Sequence, residues 1–286
     1  MPLRQSGPLE RSRIAVTETR LQQRFCSWAV ASFSDDNFGV RVQGFCRLPV
    51  TDLFPQSVLF EDNHCLVVNK PPRLLTVADK TEHDNLLDLA KEYLKQKYQK
   101  PGDVFLGVVH RLDRPVSGVV LFARTSKAAS RLADQFRTRS TQKIYWAIVS
   151  GQVVPAQGKL EDWILKDEDE NLSTITAPHA PGAKQCLLRY EEVPLAGGPT
   201  LLEVQLDTGR SHQIRVQLSA RKWPIAGDRK YGSPLSGGGT IGLHAVELTF
   251  MHPIRNEPIT VAAPPPESWS RWNPRVAAWF EQCHRK

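Results

Sequence analysis

The sequence predicts an α+β fold built around an antiparallel or mixed sheet. Three observations carry this: five to seven segments read as strands, only a few carry a helical stripe, and the two kinds mostly lack the alternating rhythm of a parallel βαβ sheet. With 41% hydrophobic residues in a chain of 286, the composition is that of a globular protein with a sizeable core in one or two domains. No window approaches the ~18 consecutive apolar residues of a membrane-spanning helix, so no membrane partner is expected.

Regular structure is predicted from Ser57 onward. Val58 to Phe60, the polar turn Glu61-Asp62-Asn63-His64, and Cys65 to Asn69 form a hairpin, closed by Pro71-Pro72, which cannot extend a ladder. Asp84 or Asn85 caps a helix carrying Leu86, Leu87, Ala90, Tyr93, Leu94 and Lys97 at three-and-four spacing. A loop from His110 to Ser117 precedes an apolar strand, Val119 to Ala123. Thr125 or Ser126 caps a second helix whose Ala128, Ala129, Leu132, Ala133 and Phe136 face the core.

Lys143 to Val149 alternates, with Ile144, Trp146 and Ile148 on one face and Tyr145, Ala147 and Val149 on the other. Val154 to Lys184 reads as a loop whose acidic run, Asp167 to Glu170, is a solvated turn rather than a metal site. Strands follow at Cys186 to Val193 and Leu201 to Leu206, then a helix from about Ser211 to Arg221, then strands at Leu243 to Phe250 and Pro258 to Ala262. No internal repeat is visible.

Charge is the informative number. The chain carries +7 overall. His110 to Ala147 holds eight basic residues against Asp113 and Asp134, a net of +6, and Gln205 to Gly232 holds six against Asp207 and Asp228, a net of +4. The remainder is therefore net negative, and such clustering suits a polyanion, because each neutralised phosphate releases counterions. A solvated basic face would look the same by charge alone. Five cysteines with no Cys-x-x-Cys, and histidines with no pair on one helix face, suggest neither a disulfide framework nor a zinc site, and no metal is expected.

Two segments can carry chemistry. His110-Arg111-Leu112-Asp113-Arg114-Pro115-Val116-Ser117-Gly118 is a charged loop before a buried strand, and Arg111 and Arg114 beside Asp113 favour its carboxylate form as nucleophile or base. The bland alternative is an aspartate satisfying turn amides. In Thr208-Gly209-Arg210-Ser211-His212-Gln213-Ile214-Arg215, Gly209 permits a tight strand-to-helix turn, Ser211 can cap, and Arg215 lies on the same helix face as Ser211. Alone, this is a capped helix with a polar face, and His212 reads as a structural hydrogen-bonder.

Three ordered motifs resemble those of RluA-type pseudouridine synthases: His-Arg-Leu-Asp-x-x-x-Ser-Gly at 110–118, Lys-x-Tyr-x-Ala at 143–147, and Thr-Gly-Arg-Ser-His-Gln-Ile-Arg-Val at 208–216. Flanking matches at Val67 to Pro71, Pro224 to Asp228, Tyr231-Gly232, Leu243 to Ala245 and Ala263-Pro264 extend the resemblance over about Val58 to Pro266. The resemblance implies a curved, mainly antiparallel mixed sheet with an RNA-binding cleft, and isomerisation of uridine to pseudouridine without metal or cofactor. It also implies base flipping, since no side chain reaches the glycosidic bond of a stacked nucleotide. Asp113 then matches the essential aspartate, Tyr145 the tyrosine that stacks on the target base, Arg215 the arginine paired with the aspartate, and Arg111 the residue that fills the gap left by the flipped nucleotide. His110, Arg114, Arg210, His212, Lys143 and Lys70 are expected on the RNA-binding surface.

Departures from the family pattern are Val116, where threonine is frequent, and Pro72-Arg73 in place of a small residue and glycine. The expected organisation is an N-terminal extension at 1–52, a catalytic domain at 53–270 and a helical tail at 271–286. The extension has five arginines and no lysine in its first 24 residues; Trp28 to Phe33 is too short for a signal-peptide core. A cytoplasmic monomer acting on ribosomal or transfer RNA is expected, or a mitochondrial one if the extension is a transit peptide. The rival readings are a non-catalytic RNA-binding or ribosome-assembly factor of the same fold, and a carboxylate-pair hydrolase, for which a second carboxylate in a motif is wanting.

Overall fold

The computed structural model describes residues 54–79 and 83–284; the expectations for residues 1–52 lie outside them. In chain order the strands and helices are β1 (Val58–Glu61), β2 (Cys65–Lys70), α1 (Leu86–Lys97), β3 (Gly107–Val108), β4 (Ser117–Ala123), α2 (Ser126–Thr138), β5 (Gln142–Val149), β6 (Gln157–Asp167), β7 (Leu172–Thr176), β8 (Lys184–Val193), β9 (Thr200–Leu206), α3 (Gln213–Ala220), β10 (Leu243–Met251), β11 (Pro258–Ala262) and α4 (Val276–His284). The strands form one sheet in the order β1-β2-β4-β10-β5-β9-β8-β6-β7, with β11 beside β10 and β3 beside β4. Among the strand pairs of the described residues only β4–β10 is parallel, His244 facing Ser117 and Ala245 facing Gly118, so the sheet is mixed and mainly antiparallel.

Helices cover both faces. On one, Leu86, Ala90 and Leu94 of α1 and Ile214 and Leu218 of α3 pack with Leu66, Val68, Val120, Phe122, Ala147 and Val204. On the other, Ala128 and Leu132 of α2 meet Val67, Val119, Leu121 and Phe250, and Val276 and Phe280 of α4 meet Trp146 and Ile148. β4 is thus buried along its whole length, which explains its continuous apolar run. The alternation of β5 survives intact: Tyr145, Ala147 and Val149 face the first layer and Trp146 and Ile148 the second. Asn85 and Thr125 cap their helices by accepting from the backbone N–H of Asp88 and Ala128.

Two features differ from expectation. The stretch Val154 to Lys184 is not a loop but holds the hairpin β6–β7, with the acidic run at its turn. Along β6 only Leu160 and Ile164 are buried, a spacing of four that imitates a helix rather than a strand. The second is the pin at the β1–β2 turn, where the Asp62 carboxylate accepts from the backbone N–H of His64 and Cys65 and from His252 Nε2 at 2.7 Å and Arg255 Nη1 at 3.1 Å. Asp62, Cys65 and His252 have metal-ligand chemistry and lie together. Their lone pairs are already engaged, however: His252 Nδ1 accepts from the N–H groups of Ile254 and Arg255, and burial pushes the Cys65 thiol up to about 12.

Candidate active site

The loop bearing Asp113 is held by the segment that follows β2. Thr76 Oγ1 donates to Leu112 O at 2.8 Å and accepts from Leu112 N at 3.1 Å. Arg73 N donates to Arg114 O at 2.8 Å, and Arg114 Nε returns a bond to Arg73 O. Arg73 sits at φ 71°, where glycine is favoured, so the turn keeps a left-handed conformation although it carries arginine. Lys70 completes the clamp. Its ammonium donates to the carbonyls of Pro71, Leu74 and Arg114 at 3.0, 2.8 and 3.3 Å.

Lys70 is wholly buried, so its expected place on the RNA-binding surface is corrected: it holds the catalytic loop from beneath. Burial pushes its ammonium down to about 7, against the pull of Asp113. Above that pH the unfolded chain binds more protons at Lys70 than the folded one, so this residue makes stability rise with pH until its ordinary pKa is passed. Urea melts at pH 7 and 9 should therefore show wild type gaining on Lys70→Met as pH rises. A constant gap would remove the lysine from the linkage.

At the other end of the loop, Ser117 Oγ donates to His244 Nδ1 at 2.8 Å and His244 Nε2 donates to Ala263 O at 3.0 Å, which satisfies a wholly buried imidazole that burial pushes down to about 4. Gly118 has φ 117°, and a Cβ there would lie 2.2 Å from Ala245 O. The Ser-Gly pair of the first motif therefore seats the loop on β10. His110 is also structural. It stacks on Phe136 with centroids 4.6 Å apart, and its Nε2 accepts from Leu121 N at 2.9 Å. Burial, with Lys143 adding, pushes it down to about 3. The half-buried ring thus has a structural role that its motif does not show.

Between this loop and α3 lies a cleft of about 110 Å³ lined by Arg111, Asp113, Tyr145, Leu206, Arg210, His212 and Arg215, among others. Its third wall comes from Thr208 to Val216. Gln213 accepts from Thr208 Oγ1 at 2.8 Å and Arg210 N at 3.1 Å and donates to Leu187 O, tying the turn to β8. The strand-to-helix turn around Gly209 is present, but Ser211 does not cap: the left-handed residue is His212, at φ 54°, and α3 begins there without a side-chain cap.

Arg215 reaches Asp113 Oδ2 with Nη1 at 3.4 Å, and His212 Nε2 lies 3.6 Å from the same oxygen. The flanking Arg111 and Arg114 do not pair with Asp113 in the described structure. The planar fork of Arg215 is spent elsewhere: Nε and Nη2 grip Asp228 at 2.7 and 2.9 Å. Asp228 is 1% exposed and was visible in the sequence only as a flank of the third motif. Tyr231 closes the wall, its ring 4.9 Å from the Arg215 guanidinium carbon and its hydroxyl 2.8 Å from His212 Nδ1. Tyr145 projects from β5 into the cleft, its phenol pushed well above the ordinary value by burial and then by the charge on Asp113. It therefore rests as a neutral phenol. Arg111 and Arg114 are exposed and Arg210 and Lys143 half-buried around the opening, leaving a basic rim above one carboxylate.

The sheet and its covering helices have the fold of pseudouridine synthase domains of known structure. Human RNA pseudouridylate synthase domain containing 4 has the same fold, with a TM-score of 0.64 over 78% of this chain and 95% of that one at 24% identity. Human RNA pseudouridylate synthase domain containing 1 superposes with a TM-score of 0.57 at 26% identity, over 75% and 85% of the two chains. Residues 64–220 match the family described as RNA pseudouridylate synthase. The chain is 34% identical to ribosomal large subunit pseudouridine synthase D of Xylella fastidiosa, covering 76% of this chain and 69% of that protein. It is 35% identical to the dual-specificity RNA pseudouridine synthase RluA of Vibrio vulnificus, covering 72% and 81%, and 31% identical to tRNA pseudouridine synthase C of Vibrio cholerae, covering 74% and 92%. The chain belongs to the RNA pseudouridylate synthase family, and its reaction is the isomerisation of uridine to pseudouridine in RNA.

Proposed function

We propose that the substrate is a uridine in ribosomal or transfer RNA, flipped into the cleft between the Asp113 loop and α3, and that Asp113 is the group that acts on it. The observation that carries this reading is the placement of Asp113. It is the one carboxylate lining the cleft, its side chain is 27% exposed, and Arg215, only 6% exposed, faces it. A half-open carboxylate before a buried cation is oriented for attack or proton removal. The bond from ribose C1′ to uracil N1 breaks, the uracil turns and a C1′–C5 bond forms, and the proton lost from C5 is matched by the one gained at N1, so atoms balance without a cosubstrate. The relatives named for ribosomal and transfer RNA support these substrate classes, and the basic rim suits phosphates on either side of the flipped nucleotide.

The test is to incubate the full chain with unmodified transcripts of large-subunit ribosomal RNA and of transfer RNAs, then map pseudouridine by carbodiimide-dependent stops in reverse transcription. One or a few discrete positions are expected; absence of product from both classes would overturn the proposal. Tyr145→Phe keeps the stacking face, worth about 1–3 kcal/mol per base, and should bind RNA within a few-fold of wild type while turning over more slowly. Equal single-turnover rates would confine Tyr145 to stacking.

A further inference from the structure

His212 has a place in the cleft that the motif does not explain. It is buried and held left-handed at φ 54°, a conformation that is unfavourable for a residue with a β-carbon and that asparagine tolerates better. Its ring lies between two groups, Tyr231 Oη 2.8 Å from Nδ1 and Asp113 Oδ2 3.6 Å from Nε2. The Tyr231 hydroxyl is itself fixed, because it accepts the backbone N–H of Ser173 at 3.0 Å. With that lone pair used, the arrangement that strands no polar hydrogen has Tyr231 donating to Nδ1, which leaves the proton of a neutral imidazole on Nε2.

We propose that His212 is a positioning residue for the reaction: held as its Nε2–H tautomer by Tyr231, it directs a hydrogen-bond donor at Asp113 Oδ2 and, with Arg215, selects the orientation in which the other carboxylate oxygen meets the nucleotide. The inference rests on Asp113 acting on the substrate, as proposed above. The 3.6 Å separation closes to a hydrogen bond as the carboxylate turns toward the flipped nucleotide, since catalytic contacts are often long before substrate binds. Burial and the neighbouring Arg215 and Lys230 favour the neutral ring, while Asp113 and Asp228 oppose them. Tyr231 thereby serves both partners of Asp113, setting the tautomer of one and packing its ring on the other.

Two substitutions separate the donor from the backbone. Asparagine suits the left-handed turn and can still meet Tyr231, but is too short to present a donor to Asp113. Glutamine is the poorer left-handed residue, but its amide N–H₂ reaches where Nε2 lies. With wild-type protein and a transcript carrying the modified position, His212→Asn should lose roughly 10- to 100-fold in single-turnover rate with RNA affinity and melting temperature little changed, the effect of losing one hydrogen bond to a charged group. His212→Gln should recover most of that loss. A purely structural histidine would give the opposite order, asparagine being tolerated and glutamine not, and that order would overturn the proposal.

The tautomer is read without turnover. Long-range ¹H–¹⁵N correlation on labelled protein should show the His212 proton on Nε2 in wild type and a mixture of tautomers in Tyr231→Phe. A proton on Nδ1 in the wild-type protein overturns the proposal, whatever the rates. If instead the tautomer is Nε2–H but no transcript is modified by the wild-type chain, it is the substrate assignment that fails.

Discussion

Asp113→Asn is expected to reduce pseudouridine formation by roughly a thousand-fold or more, because it removes the group acting on the nucleotide while keeping its volume. RNA affinity should stay within a few-fold of wild type, since phosphate contacts supply most of the binding energy. The fold should be nearly untouched as well. Asp113 is at the cleft surface, and Arg215, which loses one 3.4 Å contact, keeps both of its shorter bonds to Asp228. Single-turnover rates on a mapped transcript, filter binding and a thermal melt make the comparison; activity above a few per cent of wild type would remove Asp113 from the chemistry.

Arg215 should behave in the opposite way, losing stability as well as rate. Asp228 is 1% exposed and its carboxylate depends on the arginine fork, so Arg215→Met strands a buried charge at a cost of about 3–5 kcal/mol. Arg215→Lys keeps the charge but not the two-pronged geometry and should fall between. The double variant Arg215→Met, Asp228→Asn removes both charges and should regain much of the stability in urea melts, yet remain inactive because no guanidinium faces Asp113. If the double variant is no more stable than Arg215→Met, the buried pair does not hold α3 as described. If either is as fast as wild type, Arg215 does not position Asp113.

Local pattern made much of this legible. Tyr145 was placed correctly because β5 alternates cleanly, and the starts of α1 and α2 were each narrowed to two adjacent cap candidates, of which Asn85 and Thr125 are the ones that cap. Asp113 and Arg215 stood out in motifs, but the partnership read from adjacency was wrong: the charges beside Asp113 in sequence do not pair with it, and its cation comes from 102 residues away. Lys70 was misplaced, and the structural contacts of His110 were missed, for one physical reason. A basic residue in a basic stretch looks like surface until three carbonyls, or a backbone N–H and a phenyl ring, are known to surround it. β6 escaped because the charged Asp162 and Lys166 share the alternate positions of Leu160 and Ile164 while the apolar Leu165 stands exposed, so no period of two shows. Asp228 is a lone acid between a glycine and an arginine, and nothing in that neighbourhood signals a buried pair.

The place of β10 in the sheet has a consequence for how the enzyme comes into being. This strand, which follows every other strand of the sheet but β11 in chain order, lies between β4 and β5 and joins the half-sheet β1-β2-β4 to the half-sheet β5-β9-β8-β6-β7. Until residues 243–251 emerge from the ribosome, each half presents an unpaired edge, the kind that invites pairing with a neighbouring chain. Asp113 stands on one half, and Tyr145 belongs to the other. A nascent chain can therefore carry every motif residue and still have no cleft, and its assembly awaits a contact more than a hundred residues long in sequence, which is slow to close. Synthesis itself delays activity until the RNA-modifying domain is almost complete.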